Sequence, residues 1–201
     1  MDLNIVMDRN TTSAAEELER SRKAKKFNLW LGMIGMFMMF AALSSGFIVY
    51  TGSGVDKGLK TILPYAFIAS TAVILLSSVT MQLAYNAAKK EALGKQKLLL
   101  SLTIILGVVF FALQFHAWTV LVERGITFVN SNASQSFVYV FTGMHLMHII
   151  AGILVLIRCF FGASSRIASD KNIFRMEIAN IFWHFLDLLW IYIYVFLLLN
   201  Q

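Results

Sequence analysis

RSRKAKKFNLWLGMIGMFMMFAALSSGFIVY, residues 20–50, decides the fold. Five of its first seven positions are Lys or Arg, and from Phe27 to Tyr50 no charged residue follows. A helix rises about 1.5 Å per residue, so the uncharged run is about 36 Å long, enough to cross a ~30 Å hydrocarbon core. Basic residues at the mouth of such a run belong with lipid headgroups, and Arg20, Arg22, Lys23, Lys25 and Lys26 read as a cytoplasmic juxtamembrane anchor. The blander reading of the preceding segment is a disordered charged tail. Ser13-Ala14-Ala15-Glu16 has the form of a capping box and predicts a short helix opening there. Glu16–Arg20 and Glu19–Lys23 are then i,i+4 pairs along it. The organisation expected is a polar arm with a short basic helix over 1–26 and a membrane domain over 27–201. The arm has no apolar stretch resembling an export signal.

The same alternation continues to the end of the chain. Further spans are predicted at 61–87, 98–121, 135–157 and 178–200, five with the first. An all-α polytopic bundle follows, because a barrel would show many alternating strands of about ten residues. Of the 201 residues, 58% are hydrophobic, 14% charged and one is proline. A soluble domain carries about 25% charged residues, so water is not the solvent for most of this surface. The basic excess, 17 Lys and Arg against 11 Asp and Glu, sits beside apolar runs and points to headgroups rather than nucleic acid. Cys159 is the sole cysteine, which excludes an internal disulfide and a Cys-x-x-Cys metal pair.

Fourteen of the 17 basic residues fall in the arm, between spans two and three, and between spans four and five; Lys57, Lys60 and Arg124 fall on the other side. The positive-inside rule then places the N-terminus in the cytoplasm and the C-terminus in the periplasm of a bacterial inner membrane. Gly52-Ser53-Gly54 and Asn130-Ser131-Asn132 are expected as outer turns. No internal or inverted repeat is visible, against a secondary transporter.

Inside the spans the ionisable groups, Tyr and Cys aside, are His116, His145, His148, His184 and Asp187. Each is expected to face protein and to have a partner, since lipid offers none. His145 and His148 share a face of the fourth span, His184 and Asp187 a face of the fifth, and both pairs approach mid-depth. The expectation is that they meet. Asp187 needs histidine or tryptophan donors to offset its burial. Three readings stand: a structural hydrogen-bond network, a bis-histidine haem site crowded by Met147, Phe182, Trp183 and Phe185, and a proton relay. Gly32, Gly35, Ala42 and Gly46 are expected to permit close helix approach, and Met33, Met36, Met38 and Met39 to fill gaps.

The last two spans carry a resemblance. Thr142-Gly143-Met144-His145-Leu146-Met147-His148, with Gly152 beyond, resembles the segment T-G-x-H-x-x-H-x-x-x-G of haem-copper terminal oxidase subunit III. Phe182-Trp183-His184-Phe185-Leu186-Asp187-Leu188-Leu189-Trp190 resembles that family's W-H-F-x-D-x-x-W signature, with Glu177 seven residues before the histidine. Phe27-Asn28-Leu29-Trp30, Leu63-Pro64, Ser77-Ser78 and Leu113-Gln114 fit the earlier spans more loosely. The likeness runs from about Phe27 to the end and matches the short bacterial forms of five spans.

The resemblance implies a non-catalytic subunit without haem, copper or other metal of its own, beside a subunit I that reduces oxygen to water. Subunit II, other oxidase subunits and membrane phospholipids are further implied partners, with supercomplex membership left open. Cytochrome c is expected as the donor ahead of quinol. Family members are thought to hold phospholipids in a cleft between the first two common helices and the rest, and to support proton uptake; Trp30 and Arg158 are the lipid contacts expected here. His145, His148, Glu177, Trp183, His184, Asp187 and Trp190 carry over as residues that shape the bundle. Two family carboxylates do not: their positions hold Met36 and Ala117, and His116 beside the latter is a candidate substitute. That departure favours the alternative of a stand-alone accessory or assembly protein of a related reductase.

Overall fold

The computed structural model describes residues 3–54, 63–129, 132–164 and 169–200, and the side chains among them except 3–15, 164 and 169. Lys57, Lys60, the 61–62 start of the expected second span, Asn130, Ser131 and Arg166 lie outside the described residues. Five helices carry the chain: α1 (Leu3–Gly52), α2 (Tyr65–Lys89), α3 (Leu93–Glu123), α4 (Ala133–Ser164) and α5 (Ser169–Leu199). All five are long and apolar enough to cross a membrane.

The predicted spans are recovered, the first, third and fourth inside longer helices; α2 starts at Tyr65 and runs to Lys89, and α5 starts earlier, at Ser169, and ends at Leu199. The largest difference lies in α1. No break separates arm from span, and the 50-residue helix begins ten residues before the expected capping box. Ala, Glu, Lys, Arg and Leu over 14–26 are good helix formers and nothing there stops the turn.

Helices α2, α3, α4 and α5 close into a ring in which each packs on its two neighbours, and α1 lies outside it in the furrow between α4 and α5. Among the described residues α1 touches neither α2 nor α3. The expected lipid cleft, with α1 and α2 together on one side, is therefore not formed: α2 packs along α3 and α5. A three-residue link forces that α2–α3 pairing. Ala92 N donates to Ala87 O at 3.0 Å around Glu91, which turns left-handed at φ 55°. The end of α3 uses the same closure with Gly125 at φ 79° and Ile126 N bonded to Leu121 O at 3.0 Å.

The core is aromatic toward one end, where Phe40, Phe47, Phe110, Phe141 and Trp190 are fully buried. Toward the other, basic end it is built of Met81, Leu100, Met176 and Trp183. The α1 glycines do not provide the close approaches expected of them. A Cβ at Gly32 or Gly35 would meet nothing within 4 Å. The tight approaches are at Gly107 on α3 and Gly152 on α4, both against Trp183.

Candidate functional site

One face of α5 organises the ring. Trp183, Asp187 and Trp190 follow at four- and three-residue steps, so they share a face, and all three are buried. The Trp183 indole N–H donates to Ser77 Oγ on α2 at 2.9 Å. Its six-membered ring fills the notches left by the two glycines, 3.1 Å from where a Gly107 Cβ would stand. About two turns further on, the Trp190 indole donates to Thr71 Oγ1 on α2 at 3.0 Å. Its ring stacks on Phe67 at 5.9 Å and meets Phe110 edge-on at 4.9 Å. Large rings with a bonded N–H fix both the distance and the register of neighbouring helices.

His184 turns toward α2. Its Nδ1 lies 2.6 Å from Ser78 Oγ and its Nε2 3.1 Å from Gln82 Oε1, which also accepts from Asn180 Nδ2 at 3.0 Å. The imidazole is about a third exposed, with Asp187 Oδ2 3.9 Å from Nδ1. Neither Asp187 oxygen has a hydrogen-bond partner among the described residues. The donors expected to offset its burial are committed elsewhere, since both indole N–H groups go to α2 hydroxyls.

The two histidine-bearing pairs do not meet. His145 is fully buried with Phe110 at 5.8 Å and Trp190 at 5.2 Å, and neither ring nitrogen has a described partner. His148 Nδ1 folds back onto Met144 O at 2.7 Å and its ring faces Phe40 of α1 at 6.1 Å. Helical spacing gave the shared faces; it could not tell which neighbour each residue would meet. The bis-histidine geometry is absent, because His145 is walled in by aromatic rings and His148 looks to a different helix. Among the described residues no three His, Cys, Asp or Glu side chains converge. His116 is a further correction: it is exposed on the outer side of α3, while Ala117 beside it is buried. It cannot take over a carboxylate role in the interior.

A second polar locus clasps α1 to the start of α5. Lys26 Nζ lies 2.7 Å from Glu177 Oε1, and Arg22 approaches Asp170 at 3.9 Å. Both cations sit over the Phe174 ring, at 5.9 and 5.6 Å. Two members of the expected headgroup anchor thus bind the protein itself. Beside them is a cavity of about 270 Å³ lined by Arg22, Lys25, Arg158, Lys171 and Arg175 over an apolar floor that includes Val155 and Ile178. The Arg22 Nη2 is buried without a described hydrogen-bond partner. Trp30 is exposed on α1, a turn beyond Lys26.

Sequence reasoning missed Thr71, and of Ser77, Ser78 and Gln82 it could say only that they bond back to their own helix or across to a neighbour; all four bond α5. The signal was their spacing, 71, 78 and 82 on one stripe with 77 beside it, but hydroxyls in membrane helices bond their own backbone as readily. It also missed the reciprocal amide pair of Gln96 and Asn172, at 2.9 and 3.2 Å, which ties α3 to α5 at the basic end.

A family model described as cytochrome c oxidase subunit III matches residues 22–200. Cytochrome bo(3) ubiquinol oxidase subunit 3 of Pseudomonas aeruginosa is 30% identical over 171 residues, covering 84% of this chain and 81% of the relative. Cytochrome c oxidase subunit 3 of Corynebacterium diphtheriae is 29% identical over 164 residues, 79% of each chain. The Bacillus subtilis cytochrome c oxidase subunit 3 is 27% identical over 186 residues, 90% of this chain and 89% of its own.

Proposed function

The chain belongs to the cytochrome c oxidase subunit III family, and from that premise we propose how it serves a respiratory terminal oxidase. It is an accessory, multi-pass membrane subunit. Oxygen is reduced to water at haem and copper in a neighbouring subunit I, and this chain gives that subunit a rigid flank. The carrying observation is the α5 face, whose two indoles bond α2 while one of them fills glycine notches on α3 and α4. Trp183, His184 and Trp190 act by holding α5 in register with α2, and Glu177 by clasping α1 to α5; His145 and His148 act through ring packing, on Phe110 and Trp190 and on Phe40, and Asp187 is buried beside His184. The basic asymmetry of the loops supports an N-terminus in the cytoplasm of a bacterial inner membrane.

The cavity at Arg158 supports a phospholipid role. Five cationic side chains without a lining acid favour a phosphate, and the apolar floor suits acyl chains. Trp30 stands where an interfacial aromatic would border such a lipid. We read cytochrome c as the donor, in keeping with the family description and two of the three relatives named. Quinol is the second reading, favoured by the Pseudomonas relative.

Depletion of the chain tests the role. The remaining oxidase is expected to reduce oxygen at first and then to lose activity during turnover. Complete absence of oxygen reduction from an assembled remainder would contradict an accessory role, and so would undiminished, durable activity.

A further inference from the structure

Of the His, Asp, Glu, Lys and Arg side chains within the five expected spans, His116 alone is exposed on the outer surface of the bundle. It stands seven residues, about 10 Å, from the end of α3. Its imidazole has no hydrogen bond or ring contact within the described residues, and the neighbouring Thr119 hydroxyl is spent on the His116 carbonyl at 2.8 Å. Leu102, Ile105, Val109, Ala112 and Thr119 continue the same exposed stripe at three- and four-residue steps. Ala112 and Thr119 are small and lie one turn on either side of the imidazole, leaving a recess where another backbone can come close.

Among the described residues no helix covers that stripe, because α3 packs there on α2 and α4 alone. Acyl chains would suit its aliphatic part but offer no acceptor to an imidazole, and an ionisable group in the membrane normally faces a protein partner. The exposed faces of α1 and α2 differ: within their spans they carry no His, Asp, Glu, Lys or Arg, and Phe37, Met38, Leu76 and Val79 are typical of them. We propose that the outer face of α3 receives a transmembrane helix of a neighbouring oxidase subunit, and that this helix presents a hydrogen-bond acceptor to His116. The proposal rests on the reading of the chain as an oxidase subunit.

A benzophenone amino acid placed at position 112, one turn from His116 on the same exposed stripe, tests it in the whole complex with the imidazole kept, with Leu76 and Leu154 as control positions on α2 and α4. Irradiation is expected to join position 112 to a second, different subunit, identified by mass spectrometry, while the controls yield lipid adducts. A lipid adduct at 112, a dimer of this chain, or no adduct above the controls would each overturn the proposal. Subunits absent from the preparation before irradiation would instead overturn the oxidase reading, so the two failures are distinguishable. His116→Gln, which keeps a donor, is expected to retain the neighbour; His116→Leu is expected to lose about fivefold in retention during detergent challenge. Equal retention by the two variants would also contradict the proposal.

Discussion

The six-membered ring of Trp183 on α5 lies against the backbone of Gly152 on α4, so close that a Cβ there would stand 3.1 Å from its Cζ3. That contact lets α4 and α5 approach while the indole N–H crosses to Ser77 on α2. One side chain therefore sets the spacing of three helices.

Alanine at Gly152 should destabilise the bundle. A Cβ would also stand 3.0 Å from Leu186 Cδ1, and although Leu186 can rotate, the indole is pinned by its hydrogen bond. Overpacking typically costs about 1–3 kcal/mol and exceeds the ~1 kcal/mol gained from replacing a helical glycine. Gly35→Ala has open space and keeps only the gain. Thermal unfolding in detergent should thus move down for Gly152→Ala and stay level or move up for Gly35→Ala. Shifts of the same sign would refute the notch.

Asp187→Asn should leave the fold intact. Neither carboxylate oxygen has a described partner, and asparagine keeps the shape without a charge. The expected melting temperature lies within a few degrees of the parent, about 1 kcal/mol or less. A folded Asp187→Asn complex with normal activity supports a structural role. A folded complex that has lost proton uptake would mean the relay reading is correct.

Glu177→Gln should loosen the basic half of α1 without unfolding the ring. The pair with Lys26 is partly exposed, so its loss is worth about 0.5–1 kcal/mol and is mimicked by salt. Limited proteolysis after Lys23 or Lys25 should become faster in the variant, and the difference should shrink as ionic strength rises. A salt-independent difference would assign the effect to Phe174 packing instead.

The two left-handed turns make opposite predictions. Gly125→Ala meets open space but must hold φ 79°, which costs about 1 kcal/mol from backbone strain alone. Glu91→Gly relieves a φ of 55° and should stabilise by a similar amount, about 1 kcal/mol. Unfolding measurements on the two variants should move in opposite directions, and a loss of stability in Glu91→Gly would show that its side chain contributes more than the strain.

The spans were legible because hydrocarbon demands a length and forbids charge, and both are written locally along the chain. Helical spacing by itself also puts Trp183, Asp187 and Trp190 on one face. What spacing could not supply was the neighbour. Several helices offered polar faces at mid-depth, so pairing His145 with His184 was as consistent with periodicity as pairing His184 with Ser78. Gly107 and Gly152 looked no different from Gly32 and Gly35, since a notch exists only once a ring fills it. Lys26 likewise read as a lipid anchor because Glu177 is 151 residues away.

Whether this chain is the third subunit of an oxygen-reducing complex can be read from one preparation. The tagged chain is purified in gentle detergent, and the eluate is examined by a reduced-minus-oxidised spectrum and mass spectrometry. Haem bands and co-purified oxidase subunits I and II are expected, with oxygen uptake on addition of an electron donor. A colourless eluate holding this chain alone, from membranes that contain an intact oxidase, would contradict that membership.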